Sequence, residues 1–382
     1  MKGLVWRSAG ESHGACLIGI VEGVPAGLDL DVEWIDRDLA RRQRGYGRGG
    51  RMRIETDRVE LLSGIKGGVT LGSPIAFRVA NKDHVIERLP VPGDPRPGHA
   101  DLAGCQKFGH RDPRAVLERA SARETAVRVA AAGIARQVLH ALDVEVFAHT
   151  VLLGGVEAAT GRFAELDRDA RHATREASDF LSLDPEADEA MRGAVDEAKS
   201  NGDTLGGVFE VVATGLPPGL GGYGSADERL TGRVGGALFS IPAIKGVEFG
   251  LGFGVAETRG SGVHDPIVPA EGDAATRYGR SSNRAGGLEG GMTTGEELVV
   301  RCAMKPIPTL RQGMPSVDFE SGETVRATWQ RSDVTSVPAA GVVGEAMVAL
   351  TLADAALEKF GADSMRELAD NAEAYRRRMS EV

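Results

Sequence analysis

One apolar stripe at helical spacing dominates the middle of the chain. Five apolar residues recur three or four positions apart: Val127, Ala131, Ile134, Val138 and Leu142. Residues 121–124, Ser-Ala-Arg-Glu, have the order of a capping box, in which the serine side chain caps the third helical amide and the glutamate reaches back. The pattern predicts a long helix over residues 122–142 with one buried face.

Helical and strand-like patterns alternate along the rest of the chain. Helices are predicted over residues 31–44, 227–239, 339–360 and 364–379. Strands are predicted within residues 3–24, 58–80, 206–214 and 296–304. Residues 88–114, rich in Pro, Gly and His, predict an ordered loop, and the acidic residues 157–200 predict a peripheral excursion with a helix that ends near Gly202. The mixture favours one α/β domain over residues 1–382.

Capping and breaking residues support the predicted helix limits. Asp31 can cap the first of these helices, and Gly45 lies just beyond its end. Pro338 stands at the start of the helix predicted over residues 339–360, and Gly361 follows it. The last helix is charged along its length, so we expect it to be exposed.

Composition and charge exclude several classes of protein. The chain has 382 residues, of which 42% are hydrophobic, enough for the core of one large domain or two ordinary ones. The formal net charge of −10 argues against a nucleic-acid or anionic-membrane partner. The N-terminus lacks the apolar region of a signal peptide, and no apolar stretch reaches the roughly 18 residues that span a bilayer. Three widely spaced cysteines show no metal-ligand spacing. We expect a cytoplasmic protein without a metal.

A turn between the first two strands carries a concentrated run of reactive side chains. It reads Gly-Glu-Ser-His-Gly from Gly10 to Gly14. The two glycines let the backbone turn tightly and approach a ligand closely. The carboxylate of Glu11, the hydroxyl of Ser12 and the imidazole of His13 suit proton transfer or anion binding. The alternative is a plain turn that happens to hold polar residues.

Arginines surround the start of the long central helix. Arg119 and Arg123 flank its first turn, where free amides and the helix dipole favour an anion. Cations at that end cost stability unless an anion or an acidic side chain lies beside them. The sequence thus indicates an anion site, and the alternative is salt bridging to Glu118 and Glu124.

A second group of basic residues lies in a glycine-rich stretch. Seven arginines fall within seventeen residues: Arg37, Arg41, Arg42, Arg44, Arg48, Arg51 and Arg53. Arg37 and Arg41 are interpreted as residues of an exposed helix face. Arg42 and Arg48 bracket the turn at residues 45–47 and are better placed to converge on one small polyanion, because guanidinium groups bind phosphate and carboxylate through paired hydrogen bonds.

Three further motifs carry candidate chemistry. Residues 96–101, Arg-Pro-Gly-His-Ala-Asp, present His99 from a restrained loop, as a placed acid or as an ordinary surface histidine. Residues 283–292 and 305–309 would let backbone amides approach a flat or phosphorylated ligand, although they form no GxGxxG fingerprint after a strand and the chain has no P-loop. Residues 331–333, Arg-Ser-Asp, could bind an anion and accept a proton, or form a structural ion pair.

Together these motifs resemble one known enzyme family. GESHG, the Arg42 to Arg48 cluster, RPGHAD, RASARETAVRVAAAG, NRAGGLEGGM with KPIPT, and RSDVTSVPAAG stand in the order and spacing of the chorismate synthase family. The resemblance covers nearly the whole chain, and residues 157–200 are the least distinctive. It implies a layered β-α-β sandwich with internally duplicated architecture, assembled as a homotetramer. It also implies conversion of 5-enolpyruvylshikimate 3-phosphate to chorismate and phosphate, a 1,4-anti elimination that needs reduced FMN without net redox change.

The resemblance further implies roles for individual residues. His13, with Ser12 beside it, would protonate the leaving phosphate, and His99 would donate a proton near the flavin ring. Asp333 would assist proton removal through the flavin, with Ser121 as a relay. The arginines that would clamp the anionic groups of the substrate, or of NADP, are Arg42, Arg48, Arg123 and Arg331. Flavin contacts would come from Arg119, Ala120, Ser121, Pro242, Ala243, Gly290, Lys305, Pro306, Ile307, Pro308, Thr309 and Arg331.

Two residues depart from the family pattern, and two alternatives stay open. Pro242 stands where a polar or flexible residue is expected, and Thr335 stands where Cys or Ala is common; neither replaces a proposed catalytic group. One alternative is a non-catalytic binding protein for phosphorylated metabolites, which the presence of His13, His99 and Asp333 disfavours. The other is an enzyme that also reduces its own flavin with NADPH.

Overall fold

The computed structural model describes residues 3–49, 55–270, 276–329 and 333–381. Within these ranges the strands are β1 (Val5–Ala9), β2 (Cys16–Glu22), β3 (Val59–Leu61), β4 (Ile65–Lys66), β5 (Val69–Thr70), β6 (Ile75–Ala80), β7 (Glu145–Leu153), β8 (Val156–Glu157), β9 (Gly207–Thr214), β10 (Ile244–Phe249), β11 (Ile267–Pro269), β12 (Tyr278–Arg280), β13 (Leu288–Glu289), β14 (Met292–Thr293), β15 (Leu298–Met304), β16 (Pro315–Val317) and β17 (Thr324–Arg326). The α-helices are α1 (Val32–Gln43), α2 (Asp101–Phe108), α3 (Arg114–Leu117), α4 (Thr125–His140), α5 (Arg162–Glu165), α6 (Arg168–Ala177), α7 (Pro185–Ser200), α8 (Leu230–Phe239), α9 (Gly260–Val263), α10 (Val337–Phe360) and α11 (Met365–Met379). Short 3-10 turns cover Ile86–Arg88, Ala122–Glu124 and Gly252–Ala256.

Each half of the chain builds one antiparallel sheet by the same route. The first sheet has the order β1-β2-β6-β3, with α1 inserted after β2 and the long helix α4 after β6. The second has the order β7-β9-β15-β10, with α8 inserted after β9 and the long helix α10 after β15; β8 is added beside β7. Counted within each half, both sheets have the strand order 1-2-4-3. The predicted layered α/β sandwich with internal duplication is therefore confirmed.

The two long helices fill the space between the sheets. α4 and α10 pack on each other, α10 also contacts β7 and β9, and α4 contacts β2. Small residues allow this close approach. A Cβ at Gly344 would lie 2.3 Å from the Phe209 ring, and a Cβ at Gly133 would lie 2.9 Å from Ile35. The two glycines therefore set the spacing between the helical layer and its neighbours.

The helix α10 corrects one expectation. It has 24 residues and is long and apolar enough to cross a membrane, although the sequence was expected to contain no such stretch. Its most apolar window is, however, 89% buried inside the protein. A helix that is apolar all round suits a protein core as well as a bilayer, and here its neighbours are α4 and the second sheet.

Most predicted elements are present, with corrections at four segments. The central helix α4 is preceded by a 3-10 turn, and the helix predicted from residue 227 begins at Leu230. The predicted loop at residues 88–114 contains α2 and the start of α3; Gly109, with φ 70°, ends α2 in a left-handed cap. The sequence pattern indicated no strand at β7. Both faces of this strand are buried along most of its length, so apolar and polar residues do not alternate along it.

A buried charge network lies between α1, α4, α6 and α10. Arg41 is only 6% exposed, and its guanidinium donates to the Glu345 carboxylate at 2.5 and 3.1 Å. Arg136 and Arg175 bind the same carboxylate at 2.8 and 3.1 Å. The interpretation of Arg41 as an exposed residue is therefore wrong, because it lies on the face of α1 that packs against the helical layer. Arg37, one turn earlier, is exposed.

Candidate active site

The Gly-Glu-Ser-His-Gly turn connects β1 to β2 at one end of the first sheet. Gly10 has φ 106°, and a Cβ there would lie 2.5 Å from the carbonyl oxygen of Cys16, so the turn requires glycine. The side-chain amide of Asn81 donates to the carbonyls of Glu11 at 3.1 Å and Gly14 at 2.8 Å. The turn is therefore anchored by the residue that follows β6.

His13 lies against a buried carboxylate. Its Nδ1 is 2.9 Å from Glu118 Oε2, and Arg114 donates to Oε1 of the same carboxylate at 3.0 Å. Burial raises the pKa of Glu118, but the hydrogen bonds and charge of His13, together with the hydrogen bond from Arg114, outweigh burial and hold the pKa below its usual value. On the other side of the ring, Nε2 lies 3.8 Å from Asp83. An imidazole between carboxylates is suited to carrying a proton.

Two serines join this turn to the start of α4. The hydroxyl oxygens of Ser12 and Ser121 are 3.2 Å apart, and Ser12 is buried. Ser121 accepts from the Arg123 N–H at 3.3 Å and so caps the 3-10 turn before α4. The predicted capping box is only half right, because Glu124 binds Arg128 at 2.8 Å.

Arg119 ties the connection before α4 to the end of β1. Its Nη1 donates to the Gly10 carbonyl at 3.0 Å, and its Nη2 donates to the carbonyl and hydroxyl oxygens of Ser8 at 3.1 and 2.9 Å. Ala120 follows, with its N–H bound to the Val116 carbonyl at 3.0 Å. These bonds fix the residues that flank Ser121 against the turn.

Arg42 and Arg123 lie together inside the protein. Arg123 Nη1 binds both oxygens of Asp57 at 2.6 Å, while Arg42 lies 3.4 Å from Asp57 and donates to the Thr125 hydroxyl at 3.0 Å. Burial lowers the pKa of Arg42 to about 10; Asp57 opposes this effect, and the charges of Arg123 and Arg48 add to it. The structure thus brings Arg42, Arg123 and Arg48 into one cluster. Within it, Arg42 and Arg123 bind acceptors of the protein itself.

Arg48 and Asp333 form the more accessible part of this cluster. Arg48 Nη1 lies 3.1 Å from Asp333 Oδ2, and the two side chains are 10% and 18% exposed. Asp333 also accepts from the Gly49 N–H at 2.5 Å and from the Ser336 hydroxyl at 2.8 Å. This carboxylate is therefore held beside the arginine cluster, at the start of α10.

His99 belongs to a second group of residues. Its Nδ1 lies 2.5 Å from Asp101 Oδ1, and Asp101 also accepts from Arg96 at 2.8 and 3.2 Å. Burial raises the pKa of Asp101, but the hydrogen bonds and charges of His99 and Arg96 outweigh burial and hold it well below its usual range. The side chains of this motif therefore bind one another, and the His99 imidazole is oriented by residues of its own loop.

The loop of this second histidine packs against the run that begins at Lys305. The Lys305 ammonium donates to the Gly98 carbonyl, and the Lys305 N–H binds the Ala243 carbonyl at 3.0 Å. A Cβ at Gly98 would lie 3.4 Å from both Lys305 Nζ and Pro308. Ala243 has φ 71°, a strained conformation for alanine that is common at functional sites. The loop of His99, the run that begins at Lys305, and Ala243 were each predicted to contact or adjoin the flavin. The Lys305 run is thus in contact with both of the other segments.

Other predicted flavin contacts lie apart or cannot be placed. Pro242 directly precedes Ala243. Gly290 joins β13 to β14, and the neighbouring Gly291 carbonyl binds the first residue of α8. The length of α8, about 15 Å, therefore separates this hairpin from Ala243. Three arginines lie outside the described residues: Arg51, Arg53 and Arg331.

The sequence reasoning missed the carboxylates that orient the two histidines. Glu118 and His13 are 105 residues apart, so only folding brings them together. Asp101 follows His99 by two residues, but spacing alone does not show that it binds the ring. Asn81 offered the clearest missed signal, as a polar residue directly after the apolar strand β6.

Comparison with known proteins identifies the family. A family model described as chorismate synthase matches residues 4–357. The chorismate synthase of Desulforudis audaxviator is 52% identical over 98% of both chains, and that of Salinispora tropica is 51% identical over 97% of this chain and 98% of the other. A crystal structure of a chorismate synthase matches with a TM-score of 0.83 and 41% identity over 100% of both chains. The chain therefore belongs to the chorismate synthase family.

Proposed function

We propose that the two groups of residues described above form the active site for the reaction of this family. The reaction is the 1,4-anti elimination of phosphate from 5-enolpyruvylshikimate 3-phosphate to give chorismate. The assignment of the site rests on one observation. The ionised Glu118 holds His13 within a turn that Asn81 links to the arginine cluster. A substrate with two carboxylates and a phosphate needs both cations and an acid beside its leaving group.

The arginine cluster supports a role for Arg48 and Asp333 in the elimination. Arg48 is the most accessible of the described arginines in the cluster, and its partner Asp333 has two further donors, Gly49 and Ser336. A substrate anion that binds Arg48 in place of Asp333 would leave the Asp333 carboxylate to accept the proton released from the substrate ring. His13 would give its Nε2 proton to a phosphate oxygen as the carbon–oxygen bond breaks.

The group around Lys305 fits reduced FMN. Burial and the like charge of Lys245 both lower the pKa of Lys305, so an anionic phosphate nearby would relieve an existing repulsion. Gly98 and the strained Ala243 both lie against Lys305. When bound there, a reduced flavin would supply electron density to the substrate. His99 would present Nε2 to the ring, because Asp101 binds its Nδ1.

Exposed apolar residues support the homotetramer that the resemblance implies. Ile18 and Ile20 are exposed on β2, an interior strand of the first sheet, and Phe253 is 83% exposed. The outer face of a sheet usually carries polar residues when it faces water. We infer that other subunits cover this face and the Phe253 loop, and that the assembled enzyme is cytoplasmic.

An anaerobic assay tests the proposed function. The full-length protein is mixed with substrate and pre-reduced FMN, oxidised FMN or no flavin, and chorismate and phosphate are measured. We expect many turnovers per reduced flavin and none with oxidised FMN alone. Turnover with oxidised FMN plus NADPH would show that the protein reduces its own flavin. Substrate binding without release of phosphate under any condition would instead indicate the non-catalytic binding protein and refute the proposal.

A further inference from the structure

One buried carboxylate fixes both the backbone and the ring of His13. Glu118 is 2% exposed and lies at the end of the short helix α3. Its Oε2 accepts from the His13 N–H at 2.9 Å and lies 2.9 Å from Nδ1 of the ring. Its backbone carbonyl accepts from the Ser12 N–H at 3.0 Å. The position of the imidazole therefore depends on Glu118.

This pairing also determines which ring nitrogen carries a hydrogen. Glu118 is ionised at neutral pH, because its hydrogen bonds outweigh the effect of burial on its pKa. An ionised carboxylate only accepts hydrogen bonds, so Nδ1 of His13 carries a hydrogen. The other nitrogen, Nε2, is then the atom from which a proton can pass to a substrate.

Resting on the proposed function, we propose that Glu118 is a positioning residue that binds the Nδ1–H of His13 and thereby presents the Nε2–H of the ring to the leaving phosphate. A carboxylate next to an imidazole favours the positive ring. When the carbon–oxygen bond breaks, the proton moves from Nε2 to a phosphate oxygen, and the bonding electrons leave with the phosphate. Glu118 stays ionised throughout, as does the carboxylate of other carboxylate–histidine pairs.

Within the described part of the chain, two other charged groups face this pair. Arg114 binds the second oxygen of Glu118 at 3.0 Å and so opposes its effect on the ring. Asp83 lies 3.8 Å from Nε2 and acts in the same direction as Glu118, but its side chain is 34% exposed, so solvent weakens its influence. Among the residues that the structure describes, the buried carboxylate of Glu118 is therefore the main charge acting on His13.

The test compares Glu118→Gln with a matched control. Glu210 lies 3.2 Å from Nε2 of His149 in the second sheet, outside the proposed site, so Glu210→Gln makes the same change at another Glu–His pair. For each protein, kcat and KM are measured against pH under anaerobic conditions with reduced FMN. The histidine ring signals of the substrate-free protein are followed against pH by NMR with labelled histidine, and His13→Asn identifies the signal of His13.

We expect Glu118→Gln to lower kcat about a hundredfold while KM changes little. The alkaline limb of the activity profile should move about one pH unit lower, and the midpoint of the His13 signal should move in the same direction. Glu210→Gln should match the wild type. Arg114→Gln removes the opposing charge, so its alkaline limb and His13 midpoint should move to higher pH.

Shifts of the alkaline limb in opposite directions for Glu118→Gln and Arg114→Gln distinguish a positioning role from structural damage. Structural damage would lower activity without moving the alkaline limbs of the two variants apart. The proposal would be overturned if Glu118→Gln kept the wild-type alkaline limb and the wild-type midpoint of the His13 signal. If that variant fails to fold, the direction of the shift in Arg114→Gln decides, and no shift there overturns it. The NMR measurement requires no turnover, so it reports on Glu118 even if the proposed reaction is not observed.

Discussion

Two arginines six residues apart should respond to substitution in opposite ways. Arg42 is buried, donates to the Thr125 hydroxyl and the Ala122 carbonyl at 3.0 Å each, and approaches Asp57. Arg48 is partly exposed and lies beside Asp333. We therefore expect Arg42→Ala to affect stability and Arg48→Ala to affect substrate binding.

The magnitudes follow from these contacts. Removing a buried cation that binds internal acceptors commonly costs about 3 to 5 kcal/mol. For a chain of 382 residues the entropy of unfolding is about 0.8 kcal/mol per degree, so Arg42→Ala should lower Tm by about 4 to 6 °C. Losing one charge-assisted hydrogen bond to the substrate costs about 1.5 to 3 kcal/mol, so Arg48→Ala should weaken substrate binding about ten- to a hundredfold.

Thermal unfolding of the free protein and substrate titration at one flavin concentration measure both effects. Arg48→Ala should keep the wild-type Tm within about 1 °C, because Asp333 retains its bonds to Gly49 and Ser336. A wild-type Tm for Arg42→Ala would show that its internal bonds contribute little. Unchanged substrate affinity in Arg48→Ala would assign that residue to a purely structural role.

Two further predictions concern the histidines and the buried charge network. His13→Ala and His99→Ala should each lose about a hundred- to ten-thousandfold in turnover while remaining folded. In anaerobic absorbance titrations, His13→Ala should alter substrate binding, whereas His99→Ala should alter the spectrum of bound reduced flavin. Identical changes in the two variants would contradict the separate roles. Burial raises the pKa of Glu345, but Arg136, Arg41 and Arg175 outweigh it and lower the pKa to about 2. Since this pKa lies below the unfolded value of about 4.3, the stabilisation is complete above pH 5 and is lost as pH falls toward 2. The difference in urea midpoint between wild type and Glu345→Gln should therefore be constant from pH 7 to 5 and shrink below about pH 4; a constant difference at all pH values would refute this account.

Local patterns along the chain were sufficient to predict much of the scaffold. The apolar spacing predicted the helix α4, although α4 is buried on almost every side and not on one face alone. Pro338 and Gly361 mark the ends of α10 through backbone preferences that need no tertiary partner. Glycines with positive φ, such as Gly10, likewise report a local turn. The motif order predicted the family, because each motif is a short run that is recognisable without the fold.

Only the tertiary structure decided which charges are buried and which histidine meets which carboxylate. Arg37 and Arg41 lie one turn apart on the same face of α1, yet one is exposed and the other is buried against Glu345, since burial depends on where along its length α1 meets α10. His13 and Glu118 are brought together where the turn after β1 meets the end of α3. Sequence patterns record the preferences of neighbours along the chain, whereas the electrostatics of a site depend on side chains that only folding places a few ångströms apart.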